Sequence, residues 1–151
     1  MRPVMPGMVL CLAVACGSSG PAPADLAVGQ EACGFCRMTV SQPEFASQLV
    51  APGELPLFFD DLSCLGNYLT STPTRPADAV LYVTDHQTKA WIRAETALFS
   101  RVATLATPMG SHLVAHASSG SRAADAAAGG AEPVPLDAVI PPAWQVKGKT
   151  P

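Results

Sequence analysis

From about residue 31 to about residue 140, short apolar runs alternate with Pro- and Gly-containing breaks. Runs of this length bounded by turn residues predict strands. The pattern predicts strands over residues 37–40, 45–50 and 57–59, with turns at Ser41-Gln42-Pro43-Glu44 and Pro52-Gly53. Asp60 or Asp61 then stands where a helix N-cap belongs. Leu62, Leu65, Tyr68 and Leu69 recur behind it at helical spacing, and Thr72-Pro73 stops the helix near Ser71. Residues 79–84 read as a buried strand. The first half is therefore two or three β runs, a helix and a β run.

The second half repeats this order. Residues 89–92 and 113–117 read as strands, and residues 98–105 carry no decided pattern. Residues 121–128 are Ala-rich and predict a helix ending at Gly129-Gly130, with a short strand over 134–139. The expected fold class is α+β, two small ββαβ-type units packed together, covering about 30–85 and 86–140 of a domain at 30–140. Each unit is too small to be very stable alone.

The two ends differ from this middle. Arg2 is the only charge before residue 25, and residues 4–15 are almost wholly apolar or small. That length fits the core of a secretory signal and is too short to span a bilayer. Ala13-Val14-Ala15-Cys16 followed by Gly17-Ser18-Ser19-Gly20 predicts a lipoprotein signal over 1–15 and a lipid on Cys16. The protein is then expected on a bacterial membrane, facing the periplasm or cell exterior. Residues 16–29 read as a flexible tether and 141–151 as a loose tail. Without Arg2 the charges number 8 basic against 12 acidic, a formal net charge of −4. No basic stripe exists, so nucleic acid is not an expected partner.

Sulfur is the remaining signal. Cys33-Gly34-Phe35-Cys36-Arg37-Met38 places two thiols three apart with a thioether two beyond, and Cys64 follows Asp60-Asp61. Beyond Cys16 three cysteines remain, an odd number that leaves a thiol unpaired or holds all three otherwise. Four readings of Cys33 and Cys36 stand open. A structural zinc site needs a matching second pair, which the chain lacks. A redox pair belongs at a helix start, and here the motif leads into a β run. A plain disulfide is the bland reading. Cu(I) suits the mixture of thiol and thioether best. Met38 otherwise fills a core gap. Met109, in the turn Pro108-Met109-Gly110, is expected exposed and a candidate ligand, with His112 nearby. His112 and His116 default to surface residues, and His86 to an exposed turn. Cys64 is either a buried thiol or a neighbour of the metal. Asp60 and Asp61 are too hard for Cu(I); one caps the helix and the other supports the metal-binding loop. No Ser/His/Asp set, paired carboxylates or phosphate loop is evident, so no enzyme activity is expected.

Glu31-x-Cys33-Gly34-x-Cys36-x-Met38-Thr39-Val40, Phe59-Asp60-Asp61-x-x-Cys64 and Thr107-Pro108-Met109-Gly110-Ser111 resemble the NosL family in order and spacing. The resemblance implies a bacterial lipoprotein that binds Cu(I) and acts as a metallochaperone for the copper centres of nitrous oxide reductase. It also implies a fold of two ββαβ units distantly similar to the alkylmercury lyase MerB. The positions carried over as metal candidates are Cys33, Cys36, Met38, Cys64 and Met109. The competing expectation is a lipid-anchored thiol-disulfide oxidoreductase using Cys33 and Cys36.

Overall fold

The computed structural model describes residues 20–145, so the expected leader, the Cys16 lipid site and residues 146–151 lie outside the described residues. Among the described residues seven strands form two antiparallel sheets, accompanied by two α-helices. In the first unit β1 (Ser47–Val50) and β2 (Leu57–Phe59) precede α1 (Leu62–Ser71) and β3 (Val80–Thr84). In the second, β5 (Leu98–Arg101) and β6 (Leu113–His116) precede α2 (Ser119–Ala124) and β7 (Glu132–Val134). β1 lies between β2 and β3, and β5 lies between β6 and β7, so the two units share one topology. The expected twofold α+β architecture is borne out. Ser47 sits opposite Phe59 on one side and Val83 on the other. Its counterpart Phe99 sits opposite Ala115 and Val134.

β4 (Trp91–Arg93) departs from the expected division at residue 86. It pairs with β3, Tyr82 opposite Arg93, and so extends the first sheet. Its hairpin turn is held by Asp85, whose N–H donates to the Ala90 carbonyl and whose carboxylate accepts the Thr88 N–H. The two sheets meet where the His86 N–H donates to the Ala115 carbonyl at 2.9 Å.

Several boundaries shift for local reasons. Residues 37–40 are not a strand, because Arg37 has φ 68, a left-handed conformation no strand contains. They close a loop instead: the Cys33 N–H donates to the Met38 carbonyl at 2.8 Å, and Ala32 bridges Thr39. Pro43–Phe45 form a 3-10 turn, so β1 starts two residues later than expected. Lys89, at φ 61, belongs to the hairpin turn rather than to β4. The expected helix over 121–128 breaks at Asp125, which caps the 3-10 helix Ala126–Ala128 by accepting the Ala127 N–H. Pro135 has no N–H to continue β7, and Leu136–Ala138 coil into a 3-10 turn.

The expected tether and tail are both corrected where they are described. Gln48, fully buried on β1, accepts the Ala24 N–H and donates to the Ala24 carbonyl, so its amide binds the incoming chain as a strand would. The Tyr82 hydroxyl donates to the Pro21 carbonyl. At the other end Trp144 is buried, and its indole N–H reaches the Leu69 and Thr72 carbonyls at the end of α1. Both segments are held because buried polar groups must find partners. One apolar core runs through both units, from Cys33, Leu49, Phe59 and Leu65 to Phe99, Leu113, Ile140 and Trp144. Among the described residues no helix is long and apolar enough to cross a membrane.

Candidate metal centre

Three cysteines and a carboxylate converge between the loop 33–38 and the start of α1. One ligand atom from each of Cys33, Cys36, Asp60 and Cys64 lies within 4.8 Å of the others. Cys33, Asp60 and Cys64 are buried, and Cys36 is half-exposed. All three cysteines are free thiols. The pocket therefore opens to solvent on the Cys36 side.

Backbone geometry explains the convergence. The Gly34 N–H donates to the Phe58 carbonyl at 2.7 Å, laying the cysteine loop against the end of β2. A Cβ on Gly34 would stand 3.1 Å from Phe59 Cε1, so only glycine lets the loop lie this close without displacing the ring. β2 ends at Phe59, which puts the buried Asp60 beside the cysteines. Cys64 then falls in the first turn of α1, facing the core with Leu65. The Cys36 thiol donates to Asp60 Oδ1 at 3.4 Å and lies 3.6 Å from Oδ2.

Asp61 is the N-cap of α1: its Oδ1 accepts the Ser63 N–H and the Ser63 hydroxyl, each at 2.8 Å. Its Oδ2 accepts the Thr107 hydroxyl at 2.8 Å and the Met109 N–H at 3.0 Å. One carboxylate thus starts the helix that carries Cys64 and fastens the second unit's Met109 loop to it. Burial works against this charge, yet hydrogen bonds from Ser111, Ser63, Thr107 and Met109 together hold its pKa below the usual carboxylate value. Burial pushes the Cys33 and Cys64 thiols up, and the Asp60 carboxylate beside Cys64 adds to the shift there. Both are neutral thiols at neutral pH, the opposite of an activated nucleophile.

The expected ligands fall into two groups. Cys33, Cys36 and Cys64 are brought together. Met38 and Met109 are exposed thioethers, 57% and 44% accessible, attached to the two loops that flank this end of the domain. The Met38 carbonyl closes the cysteine loop, and the Met109 N–H is tied to the helix cap. His112 does not join the thiols. Its Nδ1 lies 2.7 Å from the Leu105 carbonyl and braces the Met109 loop. Asp60 has the supporting role expected of one of the two aspartates, and Asp61 is the cap. The surface reading of His116 and the exposed-turn reading of His86 are both corrected. His116 is fully buried, and both rings contact Asp125. No spacing in the sequence signals that contact, because the three residues are brought together only by the packing of the two sheets.

Three sulfurs within reach of one another fit a soft ion, with Asp60 as the hydrogen-bonding neighbour rather than a ligand of choice. No curated protein and no solved structure matches significantly. The NosL family model matches residues 25–140, which takes in the cysteine loop, both units and the Met109 turn. With this Cys3Asp site at its centre, the chain belongs to the copper-related NosL family.

Proposed function

We propose that this protein is a lipid-anchored Cu(I) metallochaperone that hands its ion to an extracytoplasmic enzyme, with the copper centres of nitrous oxide reductase as the client. The observation that carries this reading is the meeting of Cys33, Cys36 and Cys64 in one pocket of a NosL-family chain. Cu(I) is the cargo. Cys36 is the accessible thiol through which it enters and leaves. On binding, the Cys36 proton passes to Asp60, whose oxygens already accept it. Met38 and Met109 are exposed thioethers that a partner's thiolate displaces more easily than a buried sulfur, which suits transfer. Burial of Cys33, which raises its pKa, argues against the oxidoreductase reading for that member of the Cys33/Cys36 pair, since disulfide exchange needs a ready thiolate.

Anaerobic competition against a Cu(I) chelator tests the proposal. The reduced chain retains one Cu(I) per molecule and prefers it to Zn²⁺, whereas a Cys33→Ser/Cys36→Ser variant loses it. Met38→Leu and Met109→Leu weaken retention and leave the fold intact. Transfer of the bound ion to apo nitrous oxide reductase tests the client, and mass analysis of the membrane-extracted protein tests the lipid on Cys16. A wild-type protein that yields its copper to a weak chelator refutes the carrier role.

A further inference from the structure

A second group of metal-ligating side chains shares no residue with the thiol pocket. His86 follows β3 in the hairpin turn, His116 ends β6, and Asp125 sits at the break after α2. Ligand atoms of all three lie within 4.8 Å of one another. Asp125 Oδ2 is 2.5 Å from His86 Nδ1 and 2.9 Å from His116 Nε2. Asp125 Oδ1 accepts the Ala127 N–H at 2.9 Å, which fixes the carboxylate and turns Oδ2 toward both rings. His86 is positioned through its own N–H, bonded to the Ala115 carbonyl one residue before His116. The His116 side chain is fully buried, and that of His86 is 10% exposed, leaving a route from solvent.

We infer that His86, His116 and Asp125 form a second metal site, built for a borderline divalent ion such as Zn²⁺ rather than for the soft ion of the thiol pocket. Two imidazoles and one carboxylate suit such ions and leave a position open for water. Four-coordinate Zn²⁺ holds its donors about 3.3 Å apart, from bond lengths near 2.0–2.1 Å. The present separations are hydrogen-bond distances, so binding opens the cluster by tenths of an ångström. The protons are accounted for within the rings. Each imidazole now offers an N–H to the carboxylate, and on binding that proton moves to the ring's other nitrogen while the freed lone pair takes the metal. For His116 this move changes little. Its Nδ1 is buried without a partner among the described residues, so one ring nitrogen is unpaired in either tautomer. The site also spans both sheets, and an ion there ties the β3–β4 turn to the second unit.

The chain contains three histidines, so each ring can be followed separately by long-range ¹H–¹⁵N spectra during Zn²⁺ titration of the reduced full chain. The ring nitrogens of His86 and His116 shift together and saturate at one equivalent beyond any taken by sulfur, and a chelator reverses the shift. His112 stays unmoved. His86→Asn, at the least buried ligand, removes the His116 response or weakens it at least about 100-fold. If the His116 nitrogens do not move in a large excess of Zn²⁺, or move equally in His86→Asn, the cluster is a hydrogen-bonded clasp and the inference fails. Loss of Cu(I) binding at the thiols leaves the result intact, because no sulfur takes part.

Discussion

Asp61→Ala is the sharpest test of how the two units are joined at the metal centre. The side chain accepts from the Ser63 N–H and hydroxyl on one oxygen and from the Thr107 hydroxyl and Met109 N–H on the other. Loss of an N-cap costs about 1 kcal/mol. Each hydrogen bond to a charged group is worth about 1.5–3 kcal/mol, and buried donors left without a partner carry the larger penalty. The bonds share one carboxylate and are not additive, so the expected loss is about 3–4 kcal/mol, a large share of a typical stability of about 5–15 kcal/mol. Asp61→Asn keeps the shape but turns one acceptor oxygen into an NH₂ that faces donors, and is expected to lose about half as much. Urea unfolding followed by the fluorescence of buried Trp144 measures both. Hydrogen exchange at the Ser63 and Met109 amides shows whether the helix start and the loop are released together. An Asp61→Ala loss below about 1 kcal/mol, with the Met109 amide still protected, refutes the joint role.

Cu(I) affinity is expected to rise with pH. Cys33 and Cys64 hold their protons above the ordinary thiol range, so each gives one up on binding. Apparent affinity then gains about tenfold per pH unit for every thiol proton released, and competition titrations between pH 6 and 8 measure the slope; a flat profile excludes thiolate ligation. Asp85 gives an acid-stability leg. Burial opposes its charge, but bonds from the Ala117 N–H, the Ser121 hydroxyl and the Thr88 N–H outweigh burial and lower its pKa from 3.8 to about 2. Its contribution, about 2 kcal/mol, is complete above the unfolded value near 3.8 and is lost as pH falls through the folded value. Urea midpoints between pH 5 and pH 2 follow this loss, and Asp85→Asn flattens it. Trp144→Ala empties a fully buried indole site and frees two helix-end carbonyls, at an expected cost of about 3–5 kcal/mol by thermal or urea unfolding. A change under 1 kcal/mol would mean that residues 141–145 are loose after all.

What the sequence by itself determined was everything encoded over a few neighbouring residues. The helix Leu62–Ser71, strands such as Leu57–Phe59 and Leu113–His116, and the twofold order of elements follow from periodicity and turn residues. The cysteine loop and the Met109 turn carried the family. Where one residue has an unusual conformation the pattern misled: Arg37 bends a sulfur motif that reads as a strand into a closed loop. Tertiary structure alone decided the rest. It assigned β4 to the first sheet, folded both chain ends onto the core through Gln48 and Trp144, and chose Asp61 over Asp60 as the cap. It also drew Cys64 to the cysteine loop across 28 to 31 residues of chain, and Asp125, with its near neighbour His116, to His86 across 39. The physical reason is range. Propensity and capping act between neighbours along the chain, whereas buried polar and sulfur groups take partners wherever the packed core brings them.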